Sequence, residues 1–164
     1  MVVYINNPPS ALNDSITTNE DSVTVIIALG NDTDPDNNIN PGSVQVLNGP
    51  FHGVAVVNTI TGAITYTPTL NYFGLDSINY AICDSGFPIY CDTAWIYINV
   101  LPINDAPVAV DDTVSTPEDS CIQIAVLLND FDVENGIQLS SLAILSGPNH
   151  GTVSIDTLTG STLM

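Results

Sequence analysis

Two acidic loops have the composition of a cation-binding segment. The first, "NDTDPDNN" at Asn31–Asn38, places aspartate at every second position, and "NDFDVENG" at Asn129–Gly136 follows the same pattern. Several hard oxygen ligands of this kind suit Ca²⁺ far better than a transition metal. An EF-hand loop, however, needs glycine at its sixth position and glutamate at its twelfth, where the first loop has Asn37 and Ser43. The loops are therefore not EF-hands, and a solvated polar turn is the alternative to a metal site.

The charge of the chain is entirely negative. Its 164 residues include 18 Asp and Glu and no Lys or Arg. Binding of nucleic acid depends on cationic contacts to phosphate, so nucleic acid is excluded as a partner, as is Schiff-base chemistry on a lysine. Two carboxylates about 4 Å apart repel by roughly 1 kcal/mol in water and about 4 kcal/mol at a near-surface dielectric. A bound cation is the natural counter-charge.

The sequence repeats after 98 residues without a gap. Of the 58 positions from Pro9 to Tyr66, 23 are identical to those of Pro107–Met164. We predict three segments: residues 1–8 are the last strand and linker of a preceding repeat, residues 9–104 form a complete repeat, and residues 105–164 form a second repeat that is incomplete at its C-terminus. The opening residues resemble neither a signal peptide nor a membrane span, so we expect a piece of a longer protein.

Each repeat has the pattern of an all-β domain. Apolar and polar residues alternate in runs such as "SVTVIIAL", "AITYTP" and "TAWIYINV", and Gly, Pro, Asn and Asp separate the runs. Seven strands in about 98 residues predict an immunoglobulin-like β-sandwich. In the last strand Ala94, Ile96, Ile98 and Val100 are predicted to face the core, which leaves Trp95 and Tyr97 on the outer face.

Two cysteines flank the Gly-Phe-Pro turn of "ICDSGFPIYCDTA". A disulfide between Cys83 and Cys91 would close a hairpin, stabilise the domain by roughly 2.5 kcal/mol and indicate an oxidising, extracellular setting. Two free thiols are the alternative. Cys121 has no evident partner and is interpreted as a small core-facing residue.

The predicted course of the strands gathers the acidic groups at the two ends, or poles, of each sandwich. At the bottom of the first repeat the pattern collects Glu20, Asp21, Asp76, Asn104 and Asp105. The top of the second repeat, beyond the linker, carries Asp130, Asp132 and Glu134. The exposed strand faces use Ser, Thr and Asn instead.

The order of the motifs "TNED", "NDTDPD", "GPFHG" and "PINDAPVAVDD" resembles that of a known family, the cadherin-like, immunoglobulin-fold tandem repeats of large bacterial surface adhesins and secreted multi-repeat proteins. The resemblance spans the whole chain. In cadherins, Ca²⁺ binds at the junctions between domains. The resemblance implies one ligand set for the junction within this chain and a second set facing the preceding repeat: Glu20, Asp76, Asn104, Asp105, Asp130 and Asp132; and Asn6, Asn7, Asp32 and Asp34.

The function predicted from these features is that of a non-enzymatic structural repeat in a secreted or cell-surface adhesin or extracellular filament, stiffened by Ca²⁺ between repeats. Its partners would be neighbouring repeats and a glycan or another cell-surface ligand. Strand exchange between chains at the incomplete repeat is a second possible route to a filament. The alternative function is a glycan-binding or protein-binding module that uses the outer face around Trp95 and Tyr97.

Overall fold

We describe the protein from a computed structural model, which covers residues 5–156 and 158–164. The described residues fall into two compact units, Met1–Ile103 and Asn104–Met164, called unit 1 and unit 2 below. Residues 1–4, which belong to the predicted strand of a preceding repeat, lie outside the described residues, and residues 5–9 are not in a strand. Within the described part of the chain, no helix is long and apolar enough to cross a bilayer.

Unit 1 is a sandwich of two sheets. Its seven strands are β1 (Asp14–Asn19), β2 (Thr24–Ile26), β3 (Ile39–Asn48), β4 (Gly53–Val57), β5 (Ile64–Pro68), β6 (Gly74–Asp84) and β7 (Cys91–Leu101). One sheet has the order β1-β7-β6-β3 and the other β2-β5-β4, and β1 runs parallel to β7 whereas the other pairs are antiparallel. This arrangement confirms the prediction of an all-β, immunoglobulin-like fold.

The first strand is shorter than predicted. The extended segment "PPSALNDSITT" predicts a strand over residues 8–18, but β1 begins only at Asp14. The two prolines have no N–H with which to join a ladder. Before β1 the chain makes a single bridge between Ser10 and Thr33. The segment before β1 thus contacts the loop that follows β2, a strand of the three-stranded sheet. β1 itself then joins the four-stranded sheet beside β7.

Apolar residues at alternate positions of the two longest strands, β6 and β7, contribute to the core of unit 1. In β7, Ile96 is 0% and Ile98 1% exposed, whereas Tyr97 between them is 52% exposed. The prediction of a core face and an aromatic outer face on this strand is therefore confirmed. The other buried apolar residues come from five strands and the turn after β2: Ile26, Ala28, Val44, Ile64, Tyr66, Ile78, Tyr80, Ile82, Ala94 and Val100.

The hairpin of β6 and β7 is closed by a disulfide. Cys83 and Cys91 lie directly opposite each other in the ladder, and their Sγ atoms are 2.01 Å apart. The predicted disulfide is thus present. The predicted core position of Cys121 is wrong, because this free cysteine is exposed at the equivalent of Val23, which is itself 63% exposed.

Unit 2 contains a smaller sheet of three strands, β8 (Gln123–Ile124), β9 (Ser154–Asp156) and β10 (Ser161–Leu163), in the order β8-β10-β9. These strands lie 98 residues after parts of β2, β4 and β5, and they pair in the same order. The bridge between Ser10 and Thr33 also has an equivalent 98 residues later, between Val108 and Phe131. The two units therefore share local backbone pairing as well as sequence.

Candidate metal sites at the poles

The upper pole of unit 1 is the end at which the acidic loop follows β2 and β6 terminates. Asp34 is only 7% exposed, and its Oδ1 accepts the N–H of Asp36 at 2.7 Å. The amide of Asn38 donates to Oδ1 of Asn6 at 3.0 Å, and in the opposite amide orientation it donates to Asp34. The carboxylate of Asp34 and the side-chain amides of Asn6 and Asn38 are thus brought together.

A further carboxylate, that of Asp84 at the end of β6, belongs to the same pole. It is 2% exposed, and its Oδ2 accepts the side-chain N–H of Asn6 at 2.7 Å. Its Oδ1 accepts the backbone N–H groups of Gly86 and Tyr90 at 3.2 and 3.1 Å. Asn6 packs so closely on Gly86 that a Cβ there would collide with it. The turn after β6 is therefore shaped to receive the linker asparagine.

The contact between linker and loop recurs in both units. In unit 1 the N–H of Asn7 donates to Oδ2 of Asp36 at 2.7 Å, and in unit 2 the N–H of Asp105 donates to Oε2 of Glu134 at 2.8 Å. These pairs are 98 residues apart. Oε1 of Glu134 is buried and has no hydrogen-bond partner among the described residues. This oxygen remains available to a ligand.

The predicted residue Asp32 points away from this cluster and into the sandwich. Its Oδ1 accepts the N–H of Leu12 at 2.8 Å, and both of its carboxylate oxygens lie within 3.2 Å of Oη of Tyr80. The same hydroxyl lies 3.3 Å from Oδ2 of Asp14. Burial raises the pKa of both carboxyl groups, and for Asp14 the charge of Asp32 raises it further. Asp32 thus connects the loop to the core.

Unit 2 positions its own predicted residues in a similar way. Oδ1 of Asp130 accepts the N–H of Val110 at 2.7 Å, which repeats the contact of Asp32 98 residues earlier. Oδ1 of Asp132 accepts the N–H of Asn135 at 2.7 Å. Asn104 donates its amide to the carbonyl of Asp105 at 2.9 Å. The acidic loop and the linker of unit 2 are therefore each held by local hydrogen bonds.

The lower pole of unit 1 lies at the ends of β1 and β7. Glu20 is 2% exposed, its backbone N–H donates to the carbonyl of Leu101 at 2.9 Å, and its Oε1 accepts the N–H of Ile103 at 2.6 Å. Its Oε2 is buried and finds no hydrogen-bond partner in the described part of the chain. One oxygen of Asp21 lies within 4.8 Å of one oxygen of Glu20. Two neighbouring carboxylates thus share this end of the unit.

Asp76, also predicted as a ligand, has a different set of partners. Its Oδ1 accepts the N–H groups of Phe51 and Ser77, both at 2.8 Å. Its Oδ2 accepts the N–H of His52 at 3.0 Å and the hydroxyl of Tyr66 at 2.9 Å. Four donors occupy the roughly four lone-pair positions of a carboxylate. We therefore leave Asp76 out of the proposed ligand set.

Asp84 is the residue that sequence reasoning missed. It follows Cys83 directly in the sequence, in the segment from which only the two cysteines were singled out. A usable signal was present, because an aspartate that ends a long apolar strand and precedes "SG" must either be solvated or accept the N–H groups of the turn. Its role beside Asn6 depends on a contact across 78 residues, which no local pattern reveals.

Comparison of the sequence with those of known protein families identifies the family of this chain. A profile described as bacterial Ig domain matches residues 6–99 and again residues 104–163. The chain belongs to the bacterial Ig domain family. No curated protein matches the chain.

Solved structures similar to this bacterial Ig domain chain include cadherin ectodomains. Human CDH23 EC21-23 is 15% identical with a TM-score of 0.54, and the match covers 98% of this chain and 55% of that one. Protocadherin Gamma C5 EC1-3 is 16% identical with a TM-score of 0.50, and the match covers 99% of this chain and 58% of that one. The chain thus spans less than two thirds of these structures, and the likeness confirms the cadherin-like fold that the motifs predicted.

The polar groups at the poles of this bacterial Ig domain chain fit a hard cation. Glu20 and Glu134 each keep one buried carboxylate oxygen without a hydrogen-bond partner among the described residues. A buried, unpaired charge is costly, and the chain has no Lys or Arg to offset it. Carboxylate and amide oxygens are the ligands that Ca²⁺ prefers. The donor set is therefore compatible with Ca²⁺.

Proposed function

We propose that this chain is a structural repeat of a secreted or cell-surface adhesin or extracellular filament, and that Ca²⁺ at the junctions between successive repeats makes it rigid. Membership of the bacterial Ig domain family and the cadherin-like fold support a non-enzymatic, extracellular adhesion-type role. The hairpin disulfide agrees with an oxidising compartment. Neighbouring repeats of the same protein are the proposed partners.

The observation that carries the calcium proposal is the pair of buried carboxylate oxygens, on Glu20 in unit 1 and Glu134 in unit 2, that lack a donor among the described residues. The other oxygen of each carboxylate accepts the backbone N–H of a linker residue, Ile103 for Glu20 and Asp105 for Glu134. A cation held there would bind the linker to the sandwich on either side. Such binding removes the carboxylate repulsion that would otherwise favour an open, mobile linker.

The proposed ligands of the junction within this chain are carboxylate and amide groups of the poles and the linker. They are Glu20, Asn104, Asp105, Asp130, Asp132 and Glu134. The upper pole of unit 1 would face the preceding repeat, and its proposed ligands are Asn6, Asp34, Asp36 and Asp84, with Asp32 as a support between loop and core. Bound Ca²⁺ would supply positive charge and fix the geometry of these oxygens.

Titration of the full chain with Ca²⁺ after removal of metal by a chelator tests the proposal. We expect saturable binding with a Kd of about 10⁻⁴ to 10⁻³ M, the range of extracellular modules, and weaker binding of Mg²⁺. At ten times the Kd, one such site stabilises the protein by about 1.4 kcal/mol, which raises the melting temperature. Small-angle scattering with and without EDTA measures the stiffening directly.

Matched variants separate a metal site from a general charge effect. Glu20→Gln should weaken binding at the junction, whereas Asp112→Asn removes one charge from an exposed residue of unit 2 and should leave binding unchanged. If wild-type melting and scattering are the same in Ca²⁺ and in EDTA, the calcium proposal fails. If both variants weaken Ca²⁺ binding equally, the effect of Ca²⁺ is nonspecific screening of negative charge and not binding at a site.

A further inference from the structure

The outer face of the four-stranded sheet carries a groove beside Tyr97. The groove measures about 300 Å³, at the lower limit for ligand pockets, and the side chains of Ser15, Thr17, Leu75 and Asn99 complete its wall. Its floor is formed by intervening residues of β1, β6 and β7 whose side chains turn into the sandwich. The site lies wholly within unit 1, on the outer face of β1, β6 and β7.

The sheet register explains why a groove forms there. In the row that crosses β7 at Tyr97, the partners are Ser15 on β1 and Ser77 on β6. Two small side chains thus flank one large ring, which stands above them and is 52% exposed. The indole of Trp95 lies two residues along the same face, roughly 7 Å away at the rise of a β-strand. Tyr97 is therefore the exposed ring of this face, and the half-buried Trp95 precedes it along β7.

The polar groups around the ring are free for an external ligand. In the part of the chain that the structure describes, no intramolecular hydrogen bond engages the hydroxyls of Ser15, Thr17 and Tyr97 or the side-chain amide of Asn99. These groups both donate and accept hydrogen bonds. The groove thus combines an exposed aromatic ring with unused neutral donors and acceptors.

The charge of the protein limits what can bind here. None of the described residues on this outer face of β1, β6 and β7 is charged, and the nearest carboxylate, Asp76, is 6% exposed under the floor with its four donors. With a net charge of −18 the chain repels anionic ligands and a second copy of itself, while cationic ligands are drawn to the poles. A neutral ligand approaches this face without a Coulomb penalty.

We propose that this groove binds a neutral polysaccharide, with one hexose ring stacked on Tyr97 and its hydroxyls bonded to Ser15, Thr17 and Asn99. A hexose has an apolar face of C–H groups and a rim of hydroxyls, which matches an aromatic ring bordered by hydroxyl and amide groups. An extended chain can continue along β7 past Trp95. This site gives the repeat a ligand of its own and does not depend on the calcium proposal.

The only tryptophan of the chain reports on this site. Titration of the full chain with cellohexaose, laminarihexaose and mannohexaose, followed by Trp95 fluorescence and by calorimetry, should yield saturable binding of at least one. An anionic oligoalginate should not bind. Tyr97→Ala should reduce the affinity by about tenfold or more, whereas Phe51→Ala, which removes an exposed aromatic ring elsewhere on unit 1, should not change it. Binding should be insensitive to salt and to EDTA.

Several outcomes would overturn this proposal. Absence of binding to all three neutral oligosaccharides is one, and an unchanged affinity in Tyr97→Ala with native melting behaviour is another. Self-association in sedimentation that is lost in Tyr97→Ala, without sugar binding, would assign the face to a second copy of the chain. Loss of sugar binding in EDTA would place the ligand at a pole instead. A negative calcium titration would leave the sugar result standing, so the two proposals fail independently.

Discussion

Replacement of Asp76 by alanine tests whether this carboxylate is a structural group or a calcium ligand. The substitution removes the acceptor for four donors at once, namely the N–H groups of Phe51, His52 and Ser77 and the hydroxyl of Tyr66. Three of these belong to the turn between β3 and β4 and to β6 itself. We expect a large loss of stability that does not depend on calcium.

The size of the loss follows from the partners. A hydrogen bond to a charged group contributes about 1.5 to 3 kcal/mol, but the contributions do not add, because exposed N–H groups regain water. Tyr66 is 0% exposed and cannot rehydrate, although the carbonyl of His52 at 3.3 Å offers its hydroxyl a weaker acceptor. We therefore expect Asp76→Ala to lower the free energy of unfolding by about 3 to 5 kcal/mol. Tyr66→Phe alone should cost about 1.5 kcal/mol.

Urea denaturation of the full chain, followed by Trp95 fluorescence, measures unit 1 specifically because this is the only tryptophan. The titration is run in Ca²⁺ and in EDTA. In the Asp76→Ala background, Tyr66→Phe should cost less than about 0.5 kcal/mol, because the interaction it removes is already lost. Equal destabilisation in both buffers supports a structural role. The reasoning is refuted if the loss occurs only in Ca²⁺, or if the two substitutions are additive.

Three further predictions concern pH, the disulfide and the upper pole. Burial raises the folded-state pKa of Asp14 above 3.8. Protonated Asp14 therefore contributes to the free energy of unfolding in full below pH 3.8, and this contribution is lost as the pH rises through the raised pKa. Asp14→Asn should therefore be more stable than wild type at pH 7, with the difference vanishing near pH 4 in denaturation curves; an unchanged or growing difference would contradict this. Reduction with dithiothreitol should lower stability by about 2.5 kcal/mol in wild type and have no effect in a Cys83→Ser, Cys91→Ser double variant. Asp84→Asn should weaken Ca²⁺ binding at the upper pole in calorimetry, and unchanged isotherms would exclude Asp84 from the ligand set.

The strands and the core faces could be predicted because they depend on local pattern. Alternation in β7 assigned Ile96 and Ile98 to the core and Tyr97 to the surface, and both assignments are confirmed. The hairpin disulfide was also predictable, since two cysteines on either side of a tight turn fall opposite each other in the ladder. In each case the structure depends on residues that lie close together in the sequence.

The roles of individual carboxylates could not be predicted in the same way. Asp76 and Glu20 are both acidic residues near the lower end of unit 1, yet Asp76 accepts four hydrogen bonds and Glu20 leaves one oxygen without a partner among the described residues. The difference arises because the loop carrying Phe51 and His52 folds over Asp76 from 24 and 25 residues away. Asp84 was missed for the same reason, since its contact with Asn6 crosses most of the unit.

The supply of hydrogen-bond donors therefore separates structural acids from candidate metal ligands in this protein. A chain without Lys or Arg can stabilise a buried carboxylate only through backbone N–H groups, hydroxyls, amides or a bound cation. Where a loop supplies enough hydrogen-bond donors, as at Asp76, the carboxylate holds the loop in place and has no lone pair left for a cation. Where donors run short, as at Oε2 of Glu20 and Oε1 of Glu134, a buried carboxylate oxygen has no hydrogen-bond partner among the described residues, and a bound cation would supply one. Both of these oxygens belong to carboxylates that hold a linker residue, so the deficit lies where successive repeats would join.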